Sequence, residues 1–557
     1  MENKPIARTF RLMSQLMELH EVNPFKIKSI ANAAFKLDKL PFALAGKTLA
    51  ELEKIDGVGK SIASKVVELL ETGVIAEMQE LLAQTPEGIV EMLGIKGIGP
   101  KKIAIIWHDL GIETIGELYY ACNENRLIEA KGFGLKTQEE IRKVIEYRMA
   151  SNGKFLYAQV EPEAEKLITL LKDTLPSALI CFAGEYRRSC EIITELVLVV
   201  GSRDQELLIN TLNNSGILNN VVHNGDHLNG ELESGLLVDL VCVTKMDFYQ
   251  TLFMQTGTDK HIETVLSRIA VPLDIPESEE LIYHKAGLEY IPAELREDDR
   301  YIDLARDKKL PTLINQFDLK GSLHNHSTWS DGVNTLEEMA LYCRDNLKLE
   351  YLGICDHSKS AVYAKGLSIE RVLQQHEEID HLNKKLEGFH IFKSIESDIL
   401  GDGSLDYPDE ILQRFDFIVA SVHSNLKMSE DKATARIIKA VENPYTTILG
   451  HPTGRLLLSR EGYPIDHQKV IDACAANGVV IEINANPLRL DLDWRWHQYA
   501  LNKGVMLSIN PDAHRTSGFH DMKYGVLVGR KGGLIKDKCL NTMSVGEIDA
   551  FFKSKKK

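Results

Sequence analysis

Between residues 318 and 557 the chain sets histidine, aspartate and glutamate at the ends of short apolar runs, and this pattern limits its possible folds more than any other feature. In order the runs deliver Leu323-His324-Asn325-His326, with Asp331 in Trp329-Ser330-Asp331-Gly332; Gly353-Ile354-Cys355-Asp356-His357; Ile395-Glu396-Ser397-Asp398; Ala420-Ser421-Val422-His423; Leu449-Gly450-His451-Pro452; and Pro511-Asp512-Ala513-His514. Each run has the length of a strand and precedes a helix-like stretch, the alternation of a barrel-like α/β fold. Strand ends in such a fold converge on one mouth, so side chains far apart in sequence meet. His324-x-His326 turns two imidazoles to one face, where they can share an ion, and Asp512-x-His514 repeats the device. An isolated histidine after an apolar run is usually structural, the reading given to His223, His261, His376, His390 and His467. Nine metal-type residues at successive strand ends point instead to a metal site.

A chain of 557 residues exceeds a single hydrophobic core, and about three or four folding units are expected. Hydrophobic content of 44% and charged content of 26% describe an ordinary globular protein. No apolar run approaches the roughly 20 residues that span a bilayer, and Met1-Glu2-Asn3-Lys4 opens without a signal-peptide core, so a cytoplasmic location is expected. Eight cysteines without CxxC spacing read as reduced thiols, not as a disulfide or zinc-finger framework. The net charge of -16 argues against a generally basic nucleic-acid binder. Residues 1–150 nevertheless hold 20 Lys and Arg against 21 Asp and Glu, so the acidic excess lies downstream and any DNA contact must be local.

The first 150 residues read as successive helices in which one pattern recurs: Gly57-Val58-Gly59-Lys60, Gly97-Ile98-Gly99-Pro100-Lys101-Lys102 and Gly132-Phe133-Gly134, each before a helix. Paired glycines let the backbone turn tightly and approach a phosphate, while N–H groups at the next helix start attract the anion. The apolar residue between them pins the hairpin to the core. Contacts of this kind reach phosphates and not bases, which predicts sequence-independent DNA binding by these glycines with Lys60, Lys101 and Lys102. From about Tyr157 the pattern becomes helix, strand, strand: Gly184-Glu185-Tyr186-Arg187-Arg188-Ser189-Cys190-Glu191 leads into the β-rich Ile192–Val200.

Taken together these segments resemble the bacterial family X DNA polymerases that carry a fused PHP (polymerase and histidinol phosphatase) domain. The flanking motifs Gly401-Asp402-Gly403-Ser404-Leu405-Asp406, Gly450-His451-Pro452-Thr453-Gly454-Arg455 and Glu482-Ile483-Asn484-Ala485-Asn486-Pro487 match beyond the metal-type residues. The resemblance implies a multidomain α+β protein. Its parts would be a lyase-like helical domain over 1–85, a fingers-like helix-hairpin-helix region over 86–150, a polymerase-β-like palm over 151–245, a shortened thumb over 246–300, a linker over 301–317, and a distorted seven-stranded (βα) PHP barrel over 318–557. It also implies up to three divalent ions, Mn²⁺ or Zn²⁺. One would be held by His324, His326, Glu396 and Asp512, a second by Glu396, His423 and His451, and a third by Asp331, His357 and His514. Asp356, Asp398 and Asp406 are candidates to orient imidazoles, and Arg455 to contact phosphate. Lys65 stands where some relatives keep a Schiff-base lysine.

The palm departs from the family's pattern. Its two strand aspartates, which share the catalytic ions, are here Glu195 and Val197, although the third carboxylate survives as Asp239. Glu185 replaces the serine that touches the triphosphate and adds a repulsive charge, while Ser189 replaces the glycine after Arg188. The expectation is a DNA-repair protein with 3′-5′ exonuclease or phosphoesterase activity in the PHP barrel and no useful polymerase activity. Three alternatives stay open: a small-molecule phosphomonoesterase, a non-catalytic DNA-binding scaffold, and a polymerase rebuilt around Glu195, Asp239 and Glu191.

Overall fold

The computed structural model describes residues 3–95, 97–128, 130–150, 153–270, 275–297 and 299–556. Lys96 and Glu129, just before the second and third glycine repeats, lie outside the described residues. The chain divides into two compact units, Met1–Glu146 and Tyr147–Lys557.

The first unit is helical. Its opening helix, Asn3–Leu19, turns Ile6, Phe10, Met13 and Met17 inward at helical spacing. Asn23 then caps the helix Pro24–Asp38 by accepting from the Phe25 N–H at 2.9 Å. Each glycine repeat makes the turn its spelling predicts. Gly57, Gly97 and Gly132 hold φ of +78°, +99° and +85°, a region that disfavours any side chain. Gly59 and Gly99 cap the helices Lys60–Thr72 and Pro100–Ala104, and Val58 and Ile98 are buried beneath them. A Cβ on Gly59, Gly97, Gly99, Gly132 or Gly134 would meet no atom within 4 Å, so the hairpin tips face open space.

The second unit begins with β1 (Phe155–Leu156), which pairs antiparallel with β3 (Ile192–Ile193). The palm sheet follows, in the order β2 (Ile180–Phe182), β4 (Glu195–Val200), β7 (Leu237–Cys242), β6 (His227–Glu231), β5 (Asn219–Asn224). The helix Tyr157–Thr174 packs Val160, Leu167 and Leu171 into the same core as Leu196, Leu198 and Leu240. Helices Phe248–Thr256, Asp259–Leu266 and Glu279–Lys285 follow. A buried ion network fixes the last of them: Glu279 bonds both Arg187 and Arg296.

The barrel is a parallel seven-stranded sheet whose neighbours follow chain order, β8 (Gly321–Ser322), β9 (Tyr351–Ile354), β10 (His390–Asp398), β11 (Phe417–Ser421), β12 (Ile448–Leu449), β13 (Val480–Asn484) and β14 (Leu507–Asn510). Their side chains are buried almost without interruption, as parallel strands covered by crossover helices require. A bridge from Asn325 to Ala513, with the His326 N–H donating to the Ala513 carbonyl at 2.9 Å, ties the first strand end to the last. Palm and barrel are pinned by Lys531, which is 1% exposed and donates to the Arg188 carbonyl at 2.9 Å and to Glu297 at 2.8 Å. No helix among the described residues is long and apolar enough to cross a membrane.

Candidate metal centre

All nine metal-type residues gather at the carboxyl ends of the barrel strands, where a parallel barrel builds its sites. Glu396, on β10 and 1% exposed, stands at the centre. Its Oε1 lies 3.0 Å from His451 Nε2, 3.1 Å from His423 Nε2 and 3.4 Å from His324 Nε2; its Oε2 lies 3.0 Å from His357 Nδ1 and 3.6 Å from His326 Nε2. Three sets of donor atoms come within 4.8 Å of one another: His326, Asp331, His357 and His514; His324, His326 and Asp512; and His357, Glu396 and His423.

The expected ligand groups share Glu396, whereas these sets share His326 and His357. His326 belongs to two of them, because its Nε2 is 3.0 Å from Asp512 and its Nδ1 is 3.9 Å from Asp331. His357 does the same between Asp331, at 3.5 Å, and Glu396. Two of the nine hold a left-handed backbone, His451 at φ +23° and Asp512 at +54°, strain of a kind that persists where the surroundings fix a functional geometry.

Burial would raise the Glu396 carboxyl, but His423, His324 and His357 hold it well below the usual carboxylate range. Burial works the other way on His326: with the nearby His514 and His357 it pushes the imidazole down to about 3, so the ring is neutral and one of its nitrogens keeps an available lone pair. Among the described residues, His324 Nε2, His326 Nδ1, Asp331 Oδ2 and His357 Nδ1 are buried atoms with no hydrogen-bond partner. Buried donors and acceptors rarely stay unsatisfied, and their convergence here fits divalent ions. Mixed imidazole and carboxylate donors suit Mn²⁺, Zn²⁺ or Fe²⁺ better than Mg²⁺.

Of the three carboxylates expected to orient imidazoles, only Asp398 does so, accepting from His423 Nδ1 at 2.6 Å. Asp356 instead accepts from the Ser327 N–H at 2.8 Å, from the Ser330 hydroxyl and from Gln375, which orders the turn that carries Asp331. Asp406 accepts from the Ser360 N–H at 2.7 Å. The residue that sequence reasoning missed is Glu482, on β13, which holds His324 Nδ1 at 2.7 Å. A lone glutamate in an apolar run, Val480-Ile481-Glu482-Ile483, was the available signal.

Arg455, expected at the phosphate, is placed otherwise. Its Nε donates to the Arg489 carbonyl at 2.8 Å, its Nη1 to Asp493 at 2.5 Å and its Nη2 to the Leu490 carbonyl, so the guanidinium braces the loop after β13. In the palm, Val197 pairs directly with Asp239 across β4 and β7 and joins an apolar cluster with Ala183, Val199 and Phe248. Asp239 lies 2.9 Å from His227 Nδ1, and Glu185 accepts from the Thr194 N–H at 2.6 Å. Arg188 is held by Glu297 at 2.9 Å and the Thr256 carbonyl at 2.8 Å. Burial, with Asp239 and Glu185 beside it, raises the Glu195 carboxyl.

In the first unit Lys60 and Lys101 are exposed beside their glycine hairpins, and Lys102 Nζ sits 5.3 Å above the Phe133 ring of the next hairpin. Lys65 is largely buried and paired with Glu77 at 2.9 Å.

Comparison with known proteins agrees with this layout. Residues 1–75 match the helix-hairpin-helix domain family and residues 89–146 the SAM-like helix-hairpin-helix tandem. Across 577 aligned residues the chain is 32% identical to the DNA polymerase/3′-5′ exonuclease PolX of Bacillus subtilis, covering 99% of this chain and 100% of that one. A probable phosphatase of a Thermoanaerobacter species is 33% identical over 186 residues, 32% of this chain and 73% of its own. Another, of Acetivibrio thermocellus, is 28% identical over 247 residues, 42% and 95% of the two chains. With the PolX identity spanning nearly the whole of both chains, the chain belongs to the bacterial family X DNA polymerases that carry a fused C-terminal PHP domain.

Proposed function

We propose that this chain is a DNA-repair exonuclease that removes nucleotides from 3′ ends in its PHP barrel, with the helix-hairpin-helix repeats holding the DNA and the palm serving as scaffold. The observation that carries the reading is the contrast between two sites. The barrel brings nine imidazole and carboxylate side chains together around Glu396, while the palm has Val197 where a metal ligand is needed.

The side chains divide the work. Neutral His326 and the carboxylates Asp331, Glu396 and Asp512 present donor atoms; Glu482 and Asp398 fix the rings of His324 and His423 so that each offers its other nitrogen inward. When bound, divalent ions there supply Lewis acidity toward a phosphate ester and acidify a water. His324, His326, Asp331, His357, Glu396, His423, His451, Asp512 and His514 would hold them, Mn²⁺ or Zn²⁺ by donor chemistry. Gly57, Gly59, Lys60, Gly97, Gly99, Lys101, Lys102, Gly132 and Gly134 contact backbone phosphates without reading sequence. The finer division of the chain, at about residues 85, 150, 245, 300 and 317, follows the resemblance. Eight free cysteines suit a reducing cytoplasm.

The test uses a 5′-labelled oligonucleotide with Mn²⁺: a ladder of products shortened one nucleotide at a time from the 3′ end, abolished by chelation, is expected. A second reading, a phosphomonoesterase, draws on the barrel's similarity to probable phosphatases. Release of phosphate from small monoesters with no shortening of DNA would favour it and contradict the first.

A further inference from the structure

The nine clustered side chains are not equally sealed. His423 is 11% exposed, the highest value among them, with His357 and Asp331 at 6%, whereas His324 and His326 are at 0%. The focus is therefore least sealed at His423, His357 and Asp331.

The loop 358–367 follows His357 directly and brings the Tyr363 ring beside it. It is pinned on several sides. The Leu367 N–H donates to the His357 carbonyl at 2.8 Å, the Asp398 N–H to Ser358 Oγ at 2.9 Å, and Arg371 to the Lys365 carbonyl at 2.7 Å. A Cβ at Gly366 would fall 1.9 Å from the Ser358 carbonyl oxygen, so the loop closes on itself. Yet this ordered loop carries Val362 outward at 80% exposure, and the Tyr363 ring stands 6.1 Å from the His357 ring. An aromatic ring beside the focus, with an exposed aliphatic side chain next to it in the chain, offers apolar surface to a ligand group arriving there. Lys359 and Lys365 bracket the pair in sequence.

We propose that Tyr363 and Val362 form the subsite that receives the base of the 3′-terminal nucleotide. This rests on the exonuclease reading above. Every base has an apolar face, so the subsite serves all four and holds the terminal nucleotide while its phosphodiester lies against the buried focus.

The test compares two 5′-labelled oligonucleotides in Mn²⁺, one ending in a normal nucleotide and one in a 3′ tetrahydrofuran residue that lacks a base. The wild type should prefer the normal end by about tenfold in kcat/KM. In Tyr363→Ala combined with Val362→Ala that preference should fall toward one, while Tyr363→Phe should keep it. A preference unchanged in the double variant, including the case in which both rates drop together, overturns the subsite, as does a wild type with no preference. If the wild type shortens neither substrate, the exonuclease reading has failed and the subsite falls with it.

Discussion

His324 Nδ1 and Glu482 Oε1 meet at 2.7 Å, with both side chains sealed from solvent. Glu482 also accepts from the His451 N–H at 2.8 Å and from Asn510 at 2.9 Å, so one carboxylate on β13 fixes two of the nine clustered residues. Replacing Glu482→Gln keeps its size and removes its charge. Mn²⁺ affinity, read by titration and by metal content after dialysis, should fall about 10- to 100-fold. Affinity equal to the wild type would show that Glu482 does not orient the ring.

The palm should not extend a primer. With Val197 beside Asp239 and Glu185 spent on the Thr194 backbone, two ions have no pair of strand aspartates to share. Purified protein with a primed template, dNTPs and Mg²⁺ or Mn²⁺ should give no longer product, and Asp239→Asn should leave 3′ shortening unchanged. Extension by the wild type would restore the rebuilt-palm alternative.

Much of this layout is legible in the sequence because strand-end histidines and glycine hairpins are local spellings of local geometry. Gly57 and Gly97 take the positive φ that their repeats predict, and His324 and His326 share a face as alternate residues must. What stays hidden is partner choice across the barrel. Glu482 lies 158 residues from His324, and its place in an apolar run marks it as buried without naming the ring it holds. Arg455 illustrates the reverse: its position next to His451 suggests phosphate, but the carbonyls it meets belong to a loop 34 residues on. The crossing of the ligand sets at His326 is likewise a property of the closed barrel and not of any one strand.

Lys65 should form no Schiff base. Its Nζ is held by Glu77 at 2.9 Å and its side chain is only 15% exposed, so the amine is not presented to a sugar carbonyl. Borohydride trapping on a 5′-deoxyribose-phosphate substrate should yield no adduct with the wild type, and an adduct lost in Lys65→Ala would contradict this.

His376 is 8% exposed and packs edge-on against Phe415. Burial, with Lys393 nearby, pushes its imidazole down to about 4. The unfolded chain therefore binds a proton below about pH 6.5 that the native one refuses, and the stability this neutral ring contributes is full above that pH and lost as pH falls toward 4. His376→Gln should be less stable than the wild type at pH 7.5 by denaturant unfolding, and the gap should shrink by up to about 2 kcal/mol by pH 5. A gap that is constant or widens on acidification would refute the neutral assignment.

The central claim, that hydrolysis belongs to the barrel, is tested most directly by His324→Ala and Asp512→Ala on 5′-labelled DNA with Mn²⁺, with DNA binding measured in parallel. Both variants should bind DNA as the wild type does and lose 3′ shortening by about a hundredfold or more. Shortening that persists at the wild-type rate in both would place the nuclease outside the barrel.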